Sequence, residues 1–138
     1  MAAAKVPFIV KGVLSPEDAE KSVKAGAAGL VVSHHHGMMQ YSVPPLKVLP
    51  EILSAVGGSV PVFVDCGIES GMDAYKCLAL GAAAVSVGRH LMPLLKQGPE
   101  AVAARIKEMT AELAGVMART GVRSLKEIDP SVIVKRDF

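Results

Sequence analysis

FIVKGVLSPEDAEKSVKAGAAGLVVS, residues 8–33, and FVDCGIESGMDAYKCLALGAAAVSVG, residues 63–88, are two versions of one phrase set 55 positions apart. Ten aligned pairs are identical: Phe8/Phe63, Gly12/Gly67, Ser15/Ser70, Asp18/Asp73, Ala19/Ala74, Lys21/Lys76, Gly26/Gly81, Ala27/Ala82, Ala28/Ala83 and Val32/Val87. Each copy runs apolar stretch, glycine turn, amphipathic stretch, Gly-Ala-Ala, apolar stretch. That order spells strand–helix–strand, and two such units in tandem predict a parallel sheet. Parallel α/β folds carry their chemistry where strands end and loops begin. The residues that trail each apolar stretch are therefore the candidates for function.

Working outward from the repeat, strands are expected over 7–11, 29–33, 60–65 and 84–88. Ser15 has the hydroxyl of a helix N-cap, with Pro16 in the first helical position and Glu17 and Asp18 in the first turn. That helix is expected to end at Gly26. Further helices are expected over 46–56, 72–80, 90–96 and 99–120, with a short capped helix beginning near Ser124. Residues 34–45, rich in His, Met, Pro and Gly, read as a long loop. The helix over 99–120 carries an apolar stripe of Val102, Ile106, Met109, Leu113, Val116 and Met117, which marks a packing face. Residues 1–138 are thus expected to form one (β/α)4 domain with added C-terminal helices. Four parallel strands suit either a small open sheet or half of an eight-stranded barrel, and right-handed crossovers permit both.

Composition narrows the function classes. Apolar residues make up 51% of the chain and charged residues 20%, which fits an ordered core. A net charge of +2 is too weak for a nucleic-acid surface, and 4% aromatics leave little for base stacking. No apolar run approaches the ~18 residues of a membrane span. The two cysteines, Cys66 and Cys77, suggest neither a zinc site nor a disulfide framework. A reducing cytoplasmic setting is the expectation, with no nucleic-acid or membrane partner.

The strand-end residues are Lys11, then Ser33-His34-His35-His36-Gly37, then Asp65-Cys66-Gly67, and then Gly88-Arg89. Taken singly they have bland readings: a lysine ending a strand in solvent, a loop-capping carboxylate, a surface ion pair. Three adjacent histidines suggest a metal, but side chains in an extended segment alternate in direction and do not converge easily on one ion. No metal site is expected. In a parallel barrel the four groups would instead face one mouth.

Lys11-Gly-Val-Leu, Ser15-x-Glu-Asp-Ala, Gly26-Ala-x-Gly-Leu-Val-Val-Ser-x-His35, Val48-Leu-Pro-Glu-Ile52, Val64-Asp-x-Gly-Ile68, Leu78-Ala-Leu-Gly-Ala82, Val87-Gly-Arg89 and Gly121-Val-Arg-Ser-Leu-x-Glu-Ile-Asp-Pro130 follow in this order. Together, from about residue 7 to 134, they resemble the C-terminal half of the FMN-dependent 2-hydroxy-acid dehydrogenase/oxidase family. The resemblance implies strands five to eight of a TIM barrel, with FMN as cofactor. It implies oxidation of a 2-hydroxy acid or related alcohol by hydride transfer to flavin. His35 would be the base: an imidazole with a pKa of about 6.5 can take the substrate's hydroxyl proton. Lys11 would lie against the flavin ring and steady negative charge there. Ser33, Asp65 and Gly67 would line the cofactor, Asp65 bonding its ribityl chain, and Gly88-Arg89 would hold its phosphate.

Two departures bear on the ligands. Where the family places an arginine on the substrate carboxylate this chain has Met38, and a thioether cannot pair with a carboxylate. Where the family places a phosphate-contacting arginine this chain has Glu69. A half-barrel also leaves two raw strand edges, so the expected partner is an N-terminal half-barrel chain or a second copy. The alternatives are a non-catalytic phosphate- or nucleotide-binding half-barrel, and a structural subunit that completes another barrel.

Overall fold

Ser15 and Ser70 start two helices in the same way, and this is the repeat at work. In the computed structural model, which describes residues 6–38 and 40–134, the Ser15 hydroxyl accepts the Asp18 amide at 3.1 Å. The Ser70 hydroxyl accepts the Asp73 amide at 3.1 Å. Each satisfies one of the amides that a helix start leaves without an internal partner. Between such caps and the glycines that follow the helices, the chain runs β1 (Ile9–Val13), α1 (Pro16–Lys24), β2 (Gly29–Val32), α2 (Pro45–Val56), β3 (Val62–Val64), α3 (Gly71–Ala79), β4 (Ala84–Val85) and α4 (Pro99–Arg119). The strands form one parallel sheet in the order β1-β2-β3-β4.

The chain divides into two compact units. The first holds the residues up to Cys66 together with Ala82–Ser86, and so contains the whole sheet with α1 and α2. Its two faces differ. Leu30, Val62, Val32 and Val64 face the side where α1 packs on β1 and β2 and α2 packs on β3, and they are buried. Leu49 and Ile52 of α2 are fully buried as well. Burial of side chains this size favours the fold by roughly 1.5–3 kcal/mol each. The opposite face carries the register row Lys11–Val31–Phe63–Ala84, with Ile9 two residues before Lys11. Ile9 and Ala84 are exposed there, and Val31 and Phe63 are partly so. The outer edges of β1 and β4 pair with no other strand among the described residues.

The second unit consists of Gly67–Gly81 and the chain from Val87 onward. Here α3 packs on α4 around Tyr75, Ala79 and Val116, with Leu113, Met117, Ile128 and Ile133 against them. The Tyr75 hydroxyl closes this core through a 2.7 Å bond with Thr120. Cys77 is fully buried in α3, and burial pushes its thiol up to about 12, with Asp73 adding to the effect.

The structure moves several sequence-read boundaries. The first strand lies at Ile9–Val13 rather than 7–11, because Gly12, at φ +99°, forms a bulge between Lys11 and Val13. The sheet register also departs from the ungapped alignment. Gly29 and Ala84 are 55 apart, but their register partners Ile9 and Phe63 are 54 apart, so Lys11 is the spatial counterpart of Asp65. The fourth strand is short, Ala84–Val85. The helix read over 90–96 is a 3-10 segment, Arg89–Gln97, in which Pro93 lacks the amide an α-helix needs. The tail forms 3-10 turns at Leu125–Glu127 and Pro130–Val132.

Candidate functional site

Lys11, in β1, and Asp65, directly after β3, meet across the end of the intervening β2. The Lys11 ammonium lies 2.7 Å from Asp65 Oδ2 and donates at 2.7 Å to the Ser33 hydroxyl. Ser33 follows β2, is fully buried, and also accepts the His35 amide at 3.2 Å. The Lys11 side chain remains 46% exposed, so the ammonium keeps donors for a ligand, whereas the Asp65 side chain is only 17% exposed. Burial alone would raise the Asp65 carboxyl. The hydrogen bonds from Cys66, Lys11 and Ser33, with the Lys11 charge, outweigh burial and hold it below the usual carboxylate range.

The loop after β2, read as irregular, contains a 3-10 turn at His35–Gly37. Its three histidines do different things. His34 Nδ1 accepts the Gly37 amide at 2.9 Å and closes the turn. His35 and His36 have left-handed backbones, at φ +53° and +58°, which ordinarily cost an L-residue about 1–2 kcal/mol. The His35 ring lies over the β1 bulge, where a Cβ on Gly12 would come within 2.6 Å of its Cε1. Gly12 is therefore needed twice, for its backbone angle and for the space the imidazole occupies. Met38 is 77% exposed and offers no cationic group.

Cys66, a strand-end residue to which the sequence assigns no site role, is central to the network. Its thiol donates to Asp65 Oδ1 at 2.9 Å, its sulfur accepts the His36 amide at 3.2 Å, and it lies 3.5 Å from the Ser33 hydroxyl. It holds a left-handed backbone at φ +70°. The available signal was its place directly after Asp65, at the end of an apolar run.

Gly67, Gly88 and Arg89 belong to the second unit. Gly67 adopts φ +73°, and a Cβ on Gly67 or on Gly88 would meet nothing within 4 Å. Arg89 is exposed and its guanidinium has no hydrogen-bond or ion-pair partner among the described residues. The neighbouring His90 is held instead: its Nε2 accepts from Arg105 at 3.0 Å. Arg105 also donates to the Glu69 carbonyl at 2.7 Å and pairs with Glu108 and Glu112. Glu69 thus enters that network through its backbone.

Among the described residues, no group of three or more His, Cys, Asp or Glu side chains is placed to hold a metal ion, and no helix is long and apolar enough to cross a membrane.

The model of the FMN-dependent dehydrogenase family matches residues 1–135. The L-lactate oxidase of Roseobacter sp. (strain GAI101) is 42% identical over 135 residues, covering 96% of this chain and 36% of the relative. The glycolate oxidase of Spinacia oleracea is 42% identical over 130 residues, covering 93% and 35%. The chain therefore spans about a third of the length of these relatives. A crystal structure of mandelate oxidase with (S)-2-phenylpropionate superposes with a TM-score of 0.87 at 40% identity, over 92% of this chain and 39% of that one. The parallel α/β architecture is accordingly that of half a TIM barrel. A matched family model over nearly all its residues, and relatives above 40% identity, place the chain in the FMN-dependent dehydrogenase family, to which it belongs.

Proposed function

We propose that this chain supplies the Lys11–Ser33–Asp65 flavin contacts and the His35 base of an FMN-dependent oxidoreductase acting on 2-hydroxy acids. One observation carries the reading: an ammonium, a carboxylate and a hydroxyl within 2.7 Å contacts at the strand ends, beside an imidazole seated over Gly12. Such a set fits a flavin, whose ring edge accepts hydrogen bonds and whose ribityl hydroxyls need an acceptor. FMN, when bound, supplies the two-electron acceptor that no side chain can provide. Lys11 then presents a fixed positive charge where negative charge develops. Asp65 holds Lys11 in place and accepts from hydroxyls. His35 takes the substrate's hydroxyl proton. In the second unit the family resemblance makes Gly67 a cofactor residue and Gly88 and Arg89 the candidates for the phosphate, and the Arg89 guanidinium has no partner among the described residues.

The named relatives oxidise lactate, glycolate and mandelate, each with a hydroxyl next to a carboxylate, and this supports the same substrate class here. Met38 leaves the carboxylate to be gripped by some other group. The partly exposed apolar row of Ile9, Val31, Phe63 and Ala84, and the edges of β1 and β4 that pair with no other strand among the described residues, support a partner that completes the barrel: an N-terminal half-barrel chain or a second copy.

The test is a chimera in which this chain replaces the matching segment of the Roseobacter lactate oxidase. It is expected to oxidise a 2-hydroxy acid, and His35→Asn should cut turnover by on the order of 10²–10⁴-fold. Turnover in the His35→Asn chimera equal to that of the parent would remove His35 from the reaction.

A further inference from the structure

We propose that Cys66 is a positioning residue, whose thiol ties the His35-bearing turn to the carboxylate that holds Lys11. The geometry is a chain of contacts across three strand ends. The His36 amide donates to Cys66 Sγ at 3.2 Å, and the thiol proton goes to Asp65 Oδ1 at 2.9 Å. The other carboxylate oxygen, Oδ2, takes the Lys11 ammonium at 2.7 Å, and Lys11 reaches Ser33, which receives the His35 amide. Consecutive amides of the histidine turn are thus anchored on two atoms of one network, Ser33 Oγ and Cys66 Sγ. A glycine at position 66 would leave the second anchor empty and would free Oδ1 to turn the carboxylate away from Lys11.

The backbone supports a role for the side chain itself. Cys66 sits at φ +70°, a conformation glycine adopts without strain and a residue with a Cβ does not. A strained residue persists where its surroundings hold it there. His35 and His36 on the facing turn are strained in the same sense. The sulfur is what joins the two left-handed segments. The other thiol, Cys77, is buried within α3 and takes no part.

The consequence for catalysis rests on the flavin reading, but the network does not, and it can be read in the chain without cofactor. The groups facing the Asp65 carboxyl are Lys11, Ser33 and Cys66, so an NMR titration of Asp65 reports on them directly. Cys66→Ala keeps the Cβ and the backbone strain but removes the donor. It is expected to raise the Asp65 titration midpoint and to speed His36 amide exchange by roughly three- to tenfold, the worth of one hydrogen bond. Cys66→Ser restores a donor and an acceptor and should return both toward the parent. Should the alanine variant not fold, Cys66→Gly relieves the left-handed strain and gives the same two readouts. An unchanged Asp65 midpoint without the thiol overturns the proposal. So does a serine variant that behaves like alanine, because the effect would then be packing rather than hydrogen bonding. Failure of the chain to bind FMN would leave these results standing.

Discussion

Lys11→Met in the lactate oxidase chimera is expected to lower turnover by on the order of 10²–10³-fold, the usual scale for removing one fixed electrostatic contact to developing charge. Methionine keeps most of the side chain's length and apolar stem, so the loss is charge rather than bulk. The same variant strips Asp65 of its cation and of one hydrogen bond. The sign of the pH effect follows. The folded Asp65 carboxyl lies below its ordinary value near 3.8, so it stabilises the fold above that pH, and the contribution fades as pH falls through the lower folded value. In Lys11→Met the carboxyl titrates higher and much of that stabilisation goes. Denaturation of parent and variant should therefore differ at pH 7 and converge at strongly acid pH. A constant difference at both would mean that the Lys11–Asp65 pair contributes nothing to the pH dependence.

Gly71→Ala should destabilise the second unit by about 3 kcal/mol or more, an unusually large cost for one methyl group. Gly71 opens α3, and a Cβ there would run into the backbone of α4, at the Leu113 nitrogen and the Met109 oxygen. Backbone of a well-packed helix cannot rotate aside as a side chain can, so the two helices must separate. Separation also breaks the 2.7 Å bond from the Gly71 amide to Glu112. Gly115→Ala is the matched comparison. It lies inside α4 with open space at its Cβ position, and alanine there should stabilise by up to about 1 kcal/mol. Urea denaturation of both variants checks the pair. Equal effects would show that the α3–α4 contact at Gly71 is not tight.

The repeat was legible because its signals are local. Ser15 and Ser70 cap their helices through hydroxyls that any sequence reading recognises, and Gly26 and Gly81, at φ +93° and +106°, follow the helices they end. The parallel sheet came from the order of those signals. Register was not legible, because it is set by pairing between strands and not by the local cap and turn signals. Phe8 and Phe63 match in sequence, but the strand pairing makes Ile9 the counterpart of Phe63. Lys11 then reaches Asp65 across the end of β2 through its side chain. Lys11, Ser33 and Asp65 could be named in advance because they trail apolar runs. Cys66 trails the same run as Asp65, but its role shows only through the carboxylate and the amide that the fold brings to its thiol. The helix expected over 90–96 is the 3-10 segment Arg89–Gln97, because Pro93 lacks the amide an α-helix needs.

Flavin content is the most direct test of the account. The chimera carrying this chain in place of the matching part of the Roseobacter lactate oxidase should purify yellow, with about one FMN per chain by absorbance, and Lys11→Met should retain less of it. A chimera that is folded by circular dichroism but colourless, and whose addition leaves the fluorescence of free FMN unquenched, would contradict the claim that these strand ends hold a flavin.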